Sequence, residues 1–221
     1  MRLLDRIFCT SAGSWPRTPL EDASFVVVDV ETTGLDSVRD ELLSIGLVPV
    51  GPQGIDIGGM REIFLHHESE VIDKENLVIH GITPTESARG RAADDALREF
   101  VKYVEGKWLV AFHADFDRSV LTRATNKHLG ASLANPFLDL AWLLPALFPE
   151  SAHSLRTLDD WLGRFGIAAP ARHRAAADAL ATAELLLVAL AEARRRQPHR
   201  DVRALARIAR AQGQLAFMSH T

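Results

Sequence analysis

Residues 25 to 34, FVVVDVETTG, place a run of four β-formers directly before the acidic pair Asp29 and Glu31, and a ThrThrGly breaker follows. Such a run reads as a buried strand whose end is polar. A strand sends positions i and i+2 to the same side, so the two carboxylates emerge together from a hydrophobic segment that fixes their position. Whatever sheet this chain forms must bring that end to a place where two acids are useful.

The rest of the chain supplies such a sheet. Strand candidates at 41–50 and about 56–66 flank the GlyProGlnGly turn at 51–54, giving an antiparallel meander with the first strand. From Asp94 to Glu105, Ala96, Leu97, Phe100, Val101 and Val104 share one helical face. WLVAF (108–112) is a further buried strand, followed by HADFD and a helix running to about His128. PFLDL (136–140) gives a last short strand leading into AWLLPALFP. Helices are expected over 154–165 and 175–195, and Pro198 then breaks the chain before a basic helix, DVRALARIARAQ, and the tail GQLAFMSHT. Strands in hairpin order followed by strands alternating with helices imply an α/β fold, one mixed five-stranded sheet flanked by helices. Ligands in such sheets gather at one strand-end edge. The expected division is an arm over 1–22, a catalytic domain over 23–192, and a basic helix with its tail over 193–221.

Composition narrows the partners. With 221 residues and 47% apolar content the chain can bury a sizeable core. A formal charge of −4 excludes a strongly basic binder, so any nucleic-acid affinity must be local, and bound cations in a carboxylate site would supply it. Cys9 is the sole cysteine, which rules out an intrachain disulfide and points to a cytoplasmic setting. Arg2 and Arg6 interrupt the apolar residues of the N-terminus before they reach signal-peptide length, and no apolar run approaches the roughly 20 residues of a membrane span.

Hydrolysis of a phosphodiester by the two-metal route needs hard oxygen ligands, because Mg²⁺ and Mn²⁺ prefer carboxylates to nitrogen or sulfur. Two ions about 3.5–4 Å apart can activate a water and stabilise the leaving oxygen. Asp29 and Glu31 can reach one ion. The Thr32 or Thr33 amide and Gly34 allow a nucleotide to approach the backbone. Asp117, at a strand-to-helix transition, points toward the same sheet edge; it could equally be a helix-start acid favoured by the dipole, and Asp115 is its rival. Asp178 and His173, five positions apart at the start of the alanine-rich helix, can face one side. Imidazole titrates near working pH, so His173 suits the removal of a proton from the attacking water. A histidine before a helix is also an ordinary cap or surface residue.

VVDVETTGL (27–35), HADFD within AFHADFDRSVL, and HRAAADA (173–179) together resemble the three motifs of the DEDDh exonucleases. This is the branch of the ribonuclease H-like superfamily that includes the epsilon proofreading subunit of bacterial DNA polymerase III. Order and separation match, and the resemblance covers roughly residues 23–190. It implies a ribonuclease H-like fold, two Mg²⁺ or Mn²⁺ ions held by Asp29, Glu31, Asp117 and Asp178, a general base at His173, and release of nucleoside 5′-monophosphates from a 3′ end. It also implies that Val30, Thr32, Thr33 and His80 border the terminal nucleotide. The second motif departs from the family where many members carry HisAsn: this chain has Phe112-His113, and His113 either replaces the asparagine contact or packs at the strand end.

The reading favours single-stranded DNA, in proofreading or end trimming. An RNA-trimming enzyme resembling ribonuclease T or oligoribonuclease would use the same acids, and a scaffold that only binds nucleic acid or a polymerase would need none. Arg200, Arg203, Arg207 and Arg210 form either a solvated face or a phosphate contact. Gln214–Met218 loosely resembles a sliding-clamp-binding peptide.

Overall fold

The computed structural model describes residues 17–67, 90–152, 154–169, 172–196 and 201–218. His80, Arg200 and the first sixteen residues lie outside them.

Strand β1 (Phe25–Thr32) is the centre of the sheet. It pairs antiparallel with β2 (Leu42–Gly51) on one side and parallel with β5 (Trp108–Ala111) on the other, and β5 pairs parallel with β6 (Phe137–Asp139). β3 (Gly54–Ile55) and β4 (Arg61–Phe64) both pair antiparallel with β2. The sheet therefore has six strands where the sequence implied five. The segment expected as one strand over 56–66 opens instead with a 3₁₀ turn at Ile57–Gly59, which the Asp56 carboxylate caps by accepting the Gly59 N–H at 3.0 Å, and Gly54–Ile55 at the end of the expected turn pairs as β3. A local side-chain bond to the backbone outcompetes continued pairing there.

Alternation along β1 divides the interior in two. Phe25 and Val27 join one core with Val48, Val50 and Val110, while Val26, Val28 and Val30 join the other with Ile45, Leu47 and Leu109. Over the second core lie α1 (Ala93–Tyr103) and α2 (Ala114–Leu129); over the first lie α3 (Leu140–Leu147), α4 (Leu158–Phe165), α5 (Ala175–Arg195) and α6 (Val202–Met218). Both faces are covered, as the apolar first half of the central strand demands.

Three helices differ from expectation. AWLLPALF folds into α3 despite Pro145, because Pro145 and five neighbours are buried and apolar packing outweighs the lost backbone bond. The basic helix continues through the expected tail to Met218 as α6, with Val202, Leu205 and Ala209 buried. The 154–165 helix starts later, at a capping box in which Thr157 and Asp160 each bond the other's backbone. Among the described residues no helix is long and apolar enough to cross a membrane.

α5 sits very close to the sheet. A Cβ on Gly46 of β2 would lie 2.1 Å from the Ala175 carbonyl, so glycine alone lets the first turn of α5 touch the strand. Gly46 is paired with Asp29 in the register of β1 and β2.

Candidate active site

Asp29 and Glu31 share the parity of Phe25 and Val27 and so face the α5 side of the sheet. Asp178, in the first turn of α5, meets them there: one carboxylate oxygen of each of the three lies within 4.8 Å of the others. Glu31 and Asp178 are buried, and Asp29 is half-buried.

Asp117 stands beside this trio rather than within it. It is buried in the first turn of α2, its carboxylate accepts the Val30 backbone N–H, and its charge acts on Asp29. The backbone of Val30 thus ties the second acidic motif to the strand that carries the first. Asp115, the rival for the same role, is exposed.

Loss of water dominates the electrostatics. Burial, reinforced by Asp117, Asp178 and Glu31, holds the Asp29 carboxyl well above the usual range. Burial and then Asp178 push Glu31 up to about 7, against a lowering contribution from His173. Burial also raises Asp117 to about 8, although backbone N–H groups oppose the shift. Carboxyls in this condition are under-compensated, and a divalent cation would relieve them. Every donor in the cluster is a carboxylate oxygen, which suits Mg²⁺ or Mn²⁺.

The histidines share an unusual backbone. His113 (φ 61°) and His173 (φ 64°) are the non-glycine residues with positive φ among those described. Each lies just ahead of a helix, so the chain enters α2 and α5 through a left-handed residue. His173 is exposed at the rim, and its backbone N–H donates to Asp178 Oδ2 at 3.1 Å. His113 packs at the strand end: its ring meets Phe112 and Trp142 edge-on, with centroids 5.0 and 6.0 Å away. The Thr32 hydroxyl donates to the Gly34 carbonyl at 2.5 Å. Thr33 donates to Asp40 and accepts the Glu41 N–H, so both side chains organise the loop after β1.

Three groups were not singled out from sequence. Arg172 donates from Nη1 to Asp178 Oδ1, and from Nε to Asp159 on α4 at 2.8 Å. It supplies a positive charge beside the trio, and its only sequence signal is adjacency to His173. Asp139 accepts N–H groups from His113, Ala114 and Ala141, capping the starts of α2 and α3 together. Its signal is an acid between a strand and a helix, which is an N-cap pattern. Glu62, across β2 from Asp29, adds a further carboxylate that bears on Glu31, with Arg174 at 3.4 Å.

Comparison with known proteins agrees with this architecture. The RNase_T family, described as an exonuclease, matches residues 26–186. A DNA polymerase III subunit epsilon-like protein of Rhodobacter capsulatus is 38% identical over 176 residues, covering 77% of this chain and 24% of that protein. The PolC-type DNA polymerase III of Thermotoga maritima is 34% identical over 167 residues, covering 75% of this chain and 12% of that protein. The chain therefore spans at most about a quarter of the length of these two relatives. Among solved structures, E. coli Exonuclease I in complex with a dT13 oligonucleotide superposes with a TM-score of 0.67 at 17% identity, covering 79% of this chain and 42% of that one. The likeness shows the fold: an α/β, ribonuclease H-like mixed sheet flanked by helices.

Proposed function

The chain belongs to the RNase_T family of exonucleases, and from that premise we propose that it is a 3′→5′ exonuclease. It hydrolyses the terminal phosphodiester of single-stranded DNA and releases nucleoside 5′-monophosphates, in the manner of a polymerase III epsilon proofreading subunit. The observation that carries the reading is the convergence of Asp29, Glu31 and Asp178, with Asp117 beside them, at the polar end of the central strand.

Asp29, Glu31, Asp117 and Asp178 would hold two Mg²⁺ or Mn²⁺ ions. Bound there, the ions would neutralise the carboxylates, polarise the scissile phosphate and stabilise the leaving 3′ oxygen. The protein's own part is positional. Short buried segments fix the four acids, so little reorganisation is needed when the phosphate arrives. His173, exposed at the rim and anchored through its backbone to Asp178, takes the proton of the attacking water. The backbone around Val30, Thr32 and Thr33 borders the terminal nucleotide, and His80 and His113 are assigned to the same region. A replicative polymerase is the partner that the family relationship favours.

The test follows a 5′-labelled single-stranded DNA oligonucleotide, and a matched RNA, with Mg²⁺, Mn²⁺ or chelator, comparing wild type with Asp29→Ala. The expected result is a ladder shortening from the 3′ end on DNA, abolished by chelation and by the substitution. Equal rates on RNA would overturn the DNA preference. Absence of nucleotide release from either polymer would leave a binding role in place of the enzyme.

A further inference from the structure

A groove of about 840 Å³ runs beside the carboxylate cluster, between the first turns of α2, the β6–α3 junction and α6. Its walls include Phe137 and Trp142, and Phe217 on the last turn of α6 is 75% exposed. Three exposed arginines from separate segments line it: Arg118 of α2, Arg156 ahead of α4 and Arg210 of α6. Two carboxylates also line it, Asp115 and Asp139, but three backbone N–H groups already engage Asp139. Positive charge is in excess locally, on a chain whose net charge is −4.

The groove adjoins the site. Asp139 both lines it and acts on Asp117, and the His113 ring lies against Trp142 at its edge. Its outer wall, α6, lies beyond residues 26–186 matched by the family. Gly213 brings that wall in: a Cβ there would come within 3.2–3.3 Å of the Trp142 indole. Glycine inside a helix costs about 1 kcal/mol relative to alanine, and here it permits the close approach.

We propose that this groove holds the single-stranded segment of nucleic acid that leads into the cluster, its phosphates on Arg118, Arg156 and Arg210 and its bases against Trp142 and Phe217. Alternating cations and aromatic faces are what an unpaired strand needs, since its phosphates are charged and its bases expose π surfaces. The inference rests on the exonuclease reading of the neighbouring cluster.

Arg210→Glu and Phe217→Ala, both at exposed positions, test it on two substrates: an oligonucleotide, and the p-nitrophenyl ester of thymidine 5′-monophosphate, which has no strand to fill the groove. The expected result is a KM for the oligonucleotide raised about tenfold by each substitution, with ester hydrolysis unchanged. Unchanged KM values on the oligonucleotide would overturn the proposal. So would altered self-association in sedimentation without altered oligonucleotide affinity, which would make the face a protein interface. If wild type cleaves neither substrate, the exonuclease reading fails by itself. Fluorescence anisotropy of a labelled oligonucleotide in chelator then decides the groove: loss of affinity in both variants supports it, and equal affinity removes it.

Discussion

Burial pushes the Glu31 carboxyl up to about 7 and the Asp117 carboxyl up to about 8. Both values lie above those of the unfolded chain, so the native state binds more protons than the unfolded state between them. Stability of the metal-free protein therefore falls as pH rises from about 4 through about 8, because ionisation is opposed only in the fold. Asp117→Asn keeps an acceptor for the Val30 N–H and removes one ionisation. The variant is expected to melt above wild type at pH 8 without metal, to lose that advantage near pH 4, and to respond less to Mn²⁺. Thermal melts across that range with and without Mn²⁺ check all three; a variant less stable than wild type at pH 8 would refute the repulsion argument. At this scale the acids were legible because strand parity and short-range spacing are written in sequence. Arg172 and Asp139 were not, since their roles depend on partners brought near by the fold: Asp159 on another helix, and the N–H groups of His113 and Ala114 some 25 residues upstream of Asp139.

Helices α2 and α5 begin at the cluster, so the positive ends of two dipoles face its carboxylates. The position of α5 depends on Gly46, whose missing side chain admits the Ala175 backbone. Gly46→Ala must displace that turn, and Asp178 with it. The expected cost is about 1–3 kcal/mol of stability from overpacking. Hydrolysis is expected to fall by about 100-fold, because a small misplacement of reacting groups is enough. Gly51→Ala, where nothing lies within 4 Å of the added carbon, is the control and should retain activity. Equal behaviour of the two variants in melting and rate measurements would sink this account. Periodicity exposed most elements, but not the break between β3 and β4 or the helix through Pro145. In the first a side-chain cap beat strand pairing; in the second burial beat propensity.

Over the whole molecule, charge is acidic while the groove is locally basic, so strand binding should carry a shallow salt dependence. If three arginines each neutralise one phosphate of a single strand, log K should fall with log salt at a slope of about −2. Arg210→Glu should flatten that slope by about 0.7. Affinity titrations at several KCl concentrations measure it, and a slope near zero in wild type would contradict phosphate contact. Arg172 clasps Asp178 while its other arm reaches Asp159, and the His173 N–H takes the second oxygen of the same carboxylate. On the proposed metal-dependent function, an incoming cation would meet a seat that is already taken, and claiming Asp178 Oδ1 would mean dislodging a tethered guanidinium. Loading would then be an exchange between two cations, one of them covalently unable to leave, so the displaced charge would remain within reach of Asp159.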